Sequence, residues 1–180
     1  MSETVLARPP QSEYAPPFER YVTRVPEADV LGALAGQVAE IRAALAPVRG
    51  ELEHFRYAEG KWSVRELVGH VVDTERIMGY RAVCVARGET ASLPGFDENA
   101  YVENASFDAC PLAELLDELE LVRSGHLAFF RHLEPRAWAR VGAANGHPVS
   151  VRALAYIMAG HPRHHLAVLR ERYLPQLTKA

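Results

Sequence analysis

SVRELVGHVVDTERIMGYRAVCVARG, residues 63–88, is the stretch whose reading decides the fold. Ser63 stands three residues before Glu66, the spacing at which the two side chains satisfy each other's free backbone N–H groups at a helix start. Trp62 and Leu67 occupy the flanking positions where apolar side chains pin the entering chain. No proline follows, and Gly88 suits the left-handed residue that ends a helix. The stretch predicts a helix from about Val64 to Arg87. In alternating steps of three and four, one face reads Ser63, Leu67, His70, Thr74, Ile77, Arg81 and Cys84, so an imidazole interrupts the inward stripe.

Working outward, the same period recurs three times. Val30, Leu31, Leu34, Val38, Ile41 and Leu45 trace a helix that Pro47 bends or ends. Leu112, Leu115, Leu116, Leu119, Val122, Phe129, Phe130 and Leu133 trace another, with Pro111 at a position that a first turn tolerates. A last helix is expected from about Val151 to Tyr173, ended by Pro175. Residues 89–109 show no sustained period and read as a long connection. No strand and no internal repeat stands out. Residues 1–20 carry four prolines before Phe18 and form a proline-rich arm, and residues 21–180 form a single all-α domain. Four long helices joined by unequal loops predict a four-helix bundle.

Composition narrows the function. With 48% hydrophobic residues in 180, the chain can bury a substantial core. A net charge of −3 offers no positive field for phosphates, which disfavours a nucleic-acid partner. No apolar run reaches the roughly 20 residues needed to cross a bilayer, and the first 20 residues carry no secretion signal. Two cysteines, Cys84 and Cys110, suit a reducing cytoplasm.

Eight histidines are the chemical signal, four of them between His147 and His165. The stripe of the last helix reads Val151, Leu154, Met158, His161, His165, Val168 and Arg172. His161 and His165 are one turn apart, about 6 Å along the axis, and can converge on one ion. His70 on a facing helix would close a triangle. Three neutral imidazoles with an open coordination position describe a catalytic site for a divalent metal rather than a closed structural one. Against this stands the reading of each histidine as a hydrogen-bonded core residue. The spacing also lacks the internal Glu of HExxH, so a zinc-protease motif is absent. Gly160 and Pro162 leave two geometries open: one helix ending as another begins, or a single kinked helix.

The runs KWSVRELVGHVVDTERIMGYRAVCVARGE, LPGFDENAYV and VSVRALAYIMAGHPRHHLAVLRERYL resemble the DinB-like, damage-inducible superfamily, which includes YfiT-like proteins classed as metal-dependent hydrolases. The resemblance covers about Tyr21 to Leu174 and departs from the usual pattern at Pro162. It implies an up-down-down-up four-helix bundle, one divalent metal held by His70, His161 and His165, and a homodimer. Relatives of this kind include S-transferases and an isomerase that use low-molecular-weight thiols.

Zinc or nickel fits all-nitrogen ligation better than magnesium or calcium. Asp73 is a candidate acceptor for a ligand imidazole, or a partner of Arg76 or Arg163. Arg81 is a candidate for holding a carboxylate of a thiol cofactor or substrate, or else a surface or paired cation. His164 neighbours the ligands in sequence but points about 100° from either adjacent position on the helix and is a candidate acid or base at the rim. His126 and His147 are the replacements should His70 not be the third ligand. No catalytic residue is assigned. The expectation is a metal-dependent enzyme acting on a small molecule by thiol S-transfer or hydrolysis, with a non-catalytic metal-binding stress protein as the alternative.

Overall fold

The computed structural model describes residues 7–177. The first six residues of the expected arm, and residues 178–180, lie outside them. Gln11–Glu13 and Pro16–Phe18 form single 3-10 turns, and α1 (Glu19–Val22) follows. Four long helices come next in chain order: α2 (Val30–Leu45), α3 (Val64–Ala86), α5 (Leu112–Arg131) and α6 (Val151–Val168). A short α4 (Glu98–Ala105) lies between α3 and α5, and α7 (Leu174–Leu177) ends the described chain.

The predicted start of α3 is realised in both halves. Ser63 Oγ accepts from Glu66 N at 3.0 Å, and Glu66 Oε2 accepts from Ser63 N at 2.8 Å. Gly88 ends the helix with φ at +88°.

Each of α2 and α3 packs against both α5 and α6. The cross-links fix their directions. Along α3 the partners advance with α5, from Arg65 on the Asp108 carbonyl just before α5, through Arg76 on Glu118, to Gly79 against the His126 ring, so these helices are parallel. Arg42 of α2 instead meets Asp117 and Glu120 of α5, while Leu34 meets Arg123, so this pair is antiparallel. The bundle runs up-down-down-up. Because α3 spans about 34 Å and α5 runs the same way, the chain between them must travel back along the bundle, and that return explains its length.

Two elements in the connections differ from the sequence expectation. α4 forms within residues 89–109, where Asp97 accepts from Asn99 N and Ala100 N, although only Val102 of that helix is buried. A β-hairpin, β1 (Val141–Ala144) and β2 (His147–Ser150), forms where no strand was expected. Its turn residues Asn145 and Gly146 have φ at +52° and +75°, the mirror-image turn that matches strand twist. Leu93 joins the edge of this hairpin through hydrogen bonds with Ala143 and Asn145 at 2.9 Å.

α6 resolves the Pro162 question as one helix running through the proline. Gly160 serves packing instead of breaking the helix, because a Cβ there would lie 2.0 Å from the Tyr21 carbonyl oxygen of α1. Downstream, Leu169–Tyr173 winds as a π turn. The wider turn shifts the phase, so Leu169 and Tyr173 are buried, while Arg172, expected on the inward stripe, is exposed. Pro175 lies inside α7 instead of ending the preceding helix.

The core divides into two apolar clusters along the bundle. One gathers Leu34, Met78, Phe130, Leu154 and Met158, the other Val38, Leu67, Leu119, Leu166 and Leu169. On α6 the two histidines fall between them.

Candidate metal centre

His70 on α3 and His161 and His165 on α6 converge as the helical period predicts. The Nε2 atoms of His70 and His165 each lie 3.0 Å from Nε2 of His161, and one ligand atom from each ring falls within 4.8 Å of the others. His70 and His161 are each 4% exposed. Burial holds His70 down to about 4 and His161 and His165 well below the ordinary imidazole value, so all three are neutral at pH 7 and present lone pairs.

Hydrogen bonding alone does not account for this arrangement. One imidazole nitrogen either donates its single proton or accepts on its single lone pair, so His161 Nε2 cannot make two full bonds. Four-coordinate ligands at 2.0–2.1 Å from one ion would stand about 3.3 Å apart, close to the spacing seen. The donor set therefore fits a divalent metal ion.

Aromatic rings set the imidazole planes. Trp62 lies against His70 with centroids 4.7 Å apart, and Tyr21 meets His161 edge to face at 5.2 Å. Trp62 is itself anchored, since Tyr173 donates its hydroxyl to the Trp62 carbonyl at 2.8 Å. These neighbours could not be read from helical spacing, because Trp62 precedes α3 and Tyr21 belongs to the arm-proximal α1.

His70 and His161 reach the wall of a cavity of about 230 Å³. Thr74, Met78 and Arg81 of α3 continue that wall, and the other sides come from α1, the segment around Phe96 and the hairpin. The elements that the sequence reading left as arm and loop thus enclose the space beside the histidines.

The remaining candidates separate clearly. Asp73 faces Arg76 at 3.9 Å, and no hydrogen bond joins it to the three histidines among the described residues. Arg163 pairs with Glu27 at 2.7 Å. Arg81 is 4% exposed, makes no ion pair among the described residues, and donates to the Pro94 carbonyl at 2.7 Å and to Met78 Sδ at 3.6 Å. His164 does not line the cavity; its ring packs on Tyr21 and His165, and its Nδ1 is buried without a hydrogen-bond partner among the described residues. His126 sits away from the triad, 3.2 Å from Glu75. His147 lies on the cavity wall opposite α3, in β2.

Glu75 belongs to the scaffold. It accepts from Arg123 at 2.6 and 2.9 Å, and Arg123 also donates to the Leu34 carbonyl at 2.8 Å and to Gln37 Oε1 at 3.0 Å. Gln37 Nε2 in turn donates to the Ala159 carbonyl. One buried network thereby links α2, α3, α5 and α6.

Known proteins share this plan. A protein from Oceanobacillus iheyensis, named "putative metal-dependent hydrolase", is 27% identical over 116 residues, which are 63% of this chain and 66% of that one. A solved structure is similar in fold with a TM-score of 0.72 at 18% identity, over 96% of this chain and 92% of the other. It is YfiT from Bacillus subtilis, described as "a probable metal-dependent hydrolase with an unusual four-helix bundle topology". Residues 33–169, from α2 to the end of α6, match the sequence profile of the DinB superfamily, and the chain belongs to that superfamily.

Proposed function

We propose that the chain binds one divalent ion, zinc or nickel, through His70, His161 and His165 and is a metal-dependent enzyme for a small molecule. The convergence of three neutral Nε2 atoms, those of His70 and His161 buried beside a cavity, is the observation that carries this reading. Such an ion keeps most of its positive charge and lowers the pKa of a bound thiol or water, which supplies a nucleophile at neutral pH. The protein's part is to hold three lone pairs toward one point, to fix the rings with Trp62 and Tyr21, and to shield the centre with apolar packing.

Thiol S-transfer is the preferred reaction. The lining of the cavity holds one carboxylate, Glu98, and it is exposed, so no buried carboxylate stands ready to take a proton from water. A thiol ionised at the metal needs no such base. Hydrolysis is the second reading, supported by the names of the two relatives, with His147 as the imidazole across the cavity. The homodimer that the sequence resemblance implies, and the cytoplasmic setting that Cys84 and Cys110 suit, belong to the same proposal.

Elemental analysis of protein purified without a histidine tag tests the metal. About one zinc or nickel per chain is expected, lost in His161→Ala. Protein that stays metal-free when offered both ions overturns the proposal. Cobalt-loaded protein then separates the reactions: a thiolate charge-transfer band on adding a thiol supports S-transfer, and its absence supports hydrolysis.

A further inference from the structure

The cavity wall on α3 carries two polar groups that the histidine centre does not use. Thr74 Oγ1 is buried and has no hydrogen-bond partner among the described residues. Arg81 is buried beside the same cavity with no carboxylate in ion-pair range among the described residues. Burial alone acts on its ionisation, so no acidic neighbour offsets the charge. Both are costly as they stand, since buried polar groups are nearly always paired and a buried cation without an anion is strongly destabilising.

Their positions give the cost a purpose. His70, Thr74 and Arg81 follow one another along one helix face, with Thr74 about 6 Å and Arg81 about 16 Å beyond His70 along the axis. Long side chains on a helix lean toward its N-terminus, and the contact of Arg81 with Met78 Sδ three residues back shows this lean toward the histidines. Of the five guanidinium N–H groups, two are engaged, by the Pro94 carbonyl and by Met78 Sδ. The rest can face the cavity as a fork, the arrangement that matches a carboxylate in two parallel hydrogen bonds. Phe96 covers the guanidinium with its ring 5.8 Å from the guanidinium carbon, while Glu98, Asn145 and His147 are the polar residues of the facing lining. The second cation of the lining, Arg20, lies over the Tyr21 ring that meets His161, so at the Arg81 end one guanidinium supplies one charge, which suits a monoanion.

We propose that Arg81, with Thr74 Oγ1, is a carboxylate-binding subsite of this cavity, so that the small molecule handled here carries a carboxylate several bonds from the group placed at the histidines. The inference rests on the metal reading only for what occupies the histidine end.

The test compares 6-mercaptohexanoate with its methyl ester, by ligand-observed NMR titration of metal-free and cobalt-loaded protein. The acid should bind about tenfold more tightly than the ester, as expected for a charge-assisted bidentate pair, and Arg81→Gln should abolish the difference. Thr74→Val should weaken both ligands two- to fivefold without lowering the melting temperature, because the hydroxyl it removes has no partner to lose. Equal binding of acid and ester by the wild type, or an acid preference that survives Arg81→Gln, overturns the proposal. Should Arg81→Gln fail to fold by circular dichroism, Arg81→Lys takes its place. That variant keeps the charge without the fork and should reduce the preference several-fold; an unchanged preference overturns the proposal. The two readings fail separately. Acid preference in protein that takes up no cobalt supports the subsite and sinks the metal, whereas cobalt uptake with no acid preference does the reverse.

Discussion

Replacing Gly160 by alanine sets two physical effects of opposite sign against each other. Gly160 lies inside α6, and helix propensity alone would make alanine there more stable by about 1 kcal/mol. The packing says otherwise. An alanine Cβ would stand 2.0 Å from the carbonyl oxygen, 2.5 Å from the carbonyl carbon and 2.9 Å from the Cα of Tyr21. All three are backbone atoms, so no rotamer change relieves the contact, and α1 as a whole would have to retreat. Overpacking of this kind costs about 1–3 kcal/mol, and the depth of the overlap places it at about 3. The net loss is then about 2 kcal/mol, which for a chain of this size lowers the melting temperature by about 4–8 °C. Gly125→Ala is the matched control, since nothing lies within 4 Å of a Cβ at that exposed mid-helix position. It should raise the melting temperature by about 2–4 °C. Both are read from thermal unfolding followed by circular dichroism. A Gly160→Ala protein that melts at or above the wild-type temperature would refute the claim that α1 is seated on this glycine.

Pro162→Ala restores an N–H for the Met158 carbonyl inside a continuous helix and should stabilise the protein by about 1 kcal/mol or more, seen as a higher denaturant midpoint at unchanged slope. Arg123→Met leaves the Glu75 carboxylate, 2% exposed, without its cation and should cost about 3–5 kcal/mol in chemical unfolding. Glu75 also sets an acid limit. Burial pushes its carboxyl up, but the Arg123 charge and the His126 and Arg123 hydrogen bonds outweigh burial and hold it below the usual carboxylate range. A carboxyl with a lowered folded pKa adds stability that is fully present above about 4.5 and is lost as pH falls through the folded value. Glu75→Gln should therefore lose less stability between pH 5 and pH 3 than the wild type, and parallel losses in the two proteins would refute the assignment.

The long helices were legible because each signal was local and redundant. Ser63 and Glu66 mark the start of α3, Gly88 its end, and the apolar period fills the interval. The three histidines were legible for the same reason, being polar residues at inward positions of two periodic stripes. What escaped reading depends on tertiary partners. α4 has one buried residue and little period, so its existence rests on the Asp97 cap. The hairpin carried its Asn145-Gly146 turn signal, but VGAA and HPVS are too short and mixed in character to alternate visibly. The run around Gly160 and Pro162 reads locally as a break, and only the approach of α1 explains the glycine. The π turn moved Arg172 outward because stepping by fixed intervals cannot anticipate an extra residue in a turn. Asp73 paired locally with Arg76, a choice between neighbours that spacing leaves open.

The buried Glu75–Arg123–Gln37 network gives the bundle something its apolar core cannot. Leucine packed on leucine resists separation of helices strongly but resists their sliding past one another weakly, because the attraction has no preferred direction. The histidine centre hangs on α3 and α6 alone, so an axial slip of 1 Å between them would spoil a triangle whose tolerance is a few tenths of an ångström. Arg123 and Gln37, on the two helices that hold no histidine of the triad, pin α3 at Glu75 and α6 at Ala159, each within about a turn and a half of a ligand. The accuracy of the centre is thus a mechanical property of the whole bundle, set by side chains that never touch it.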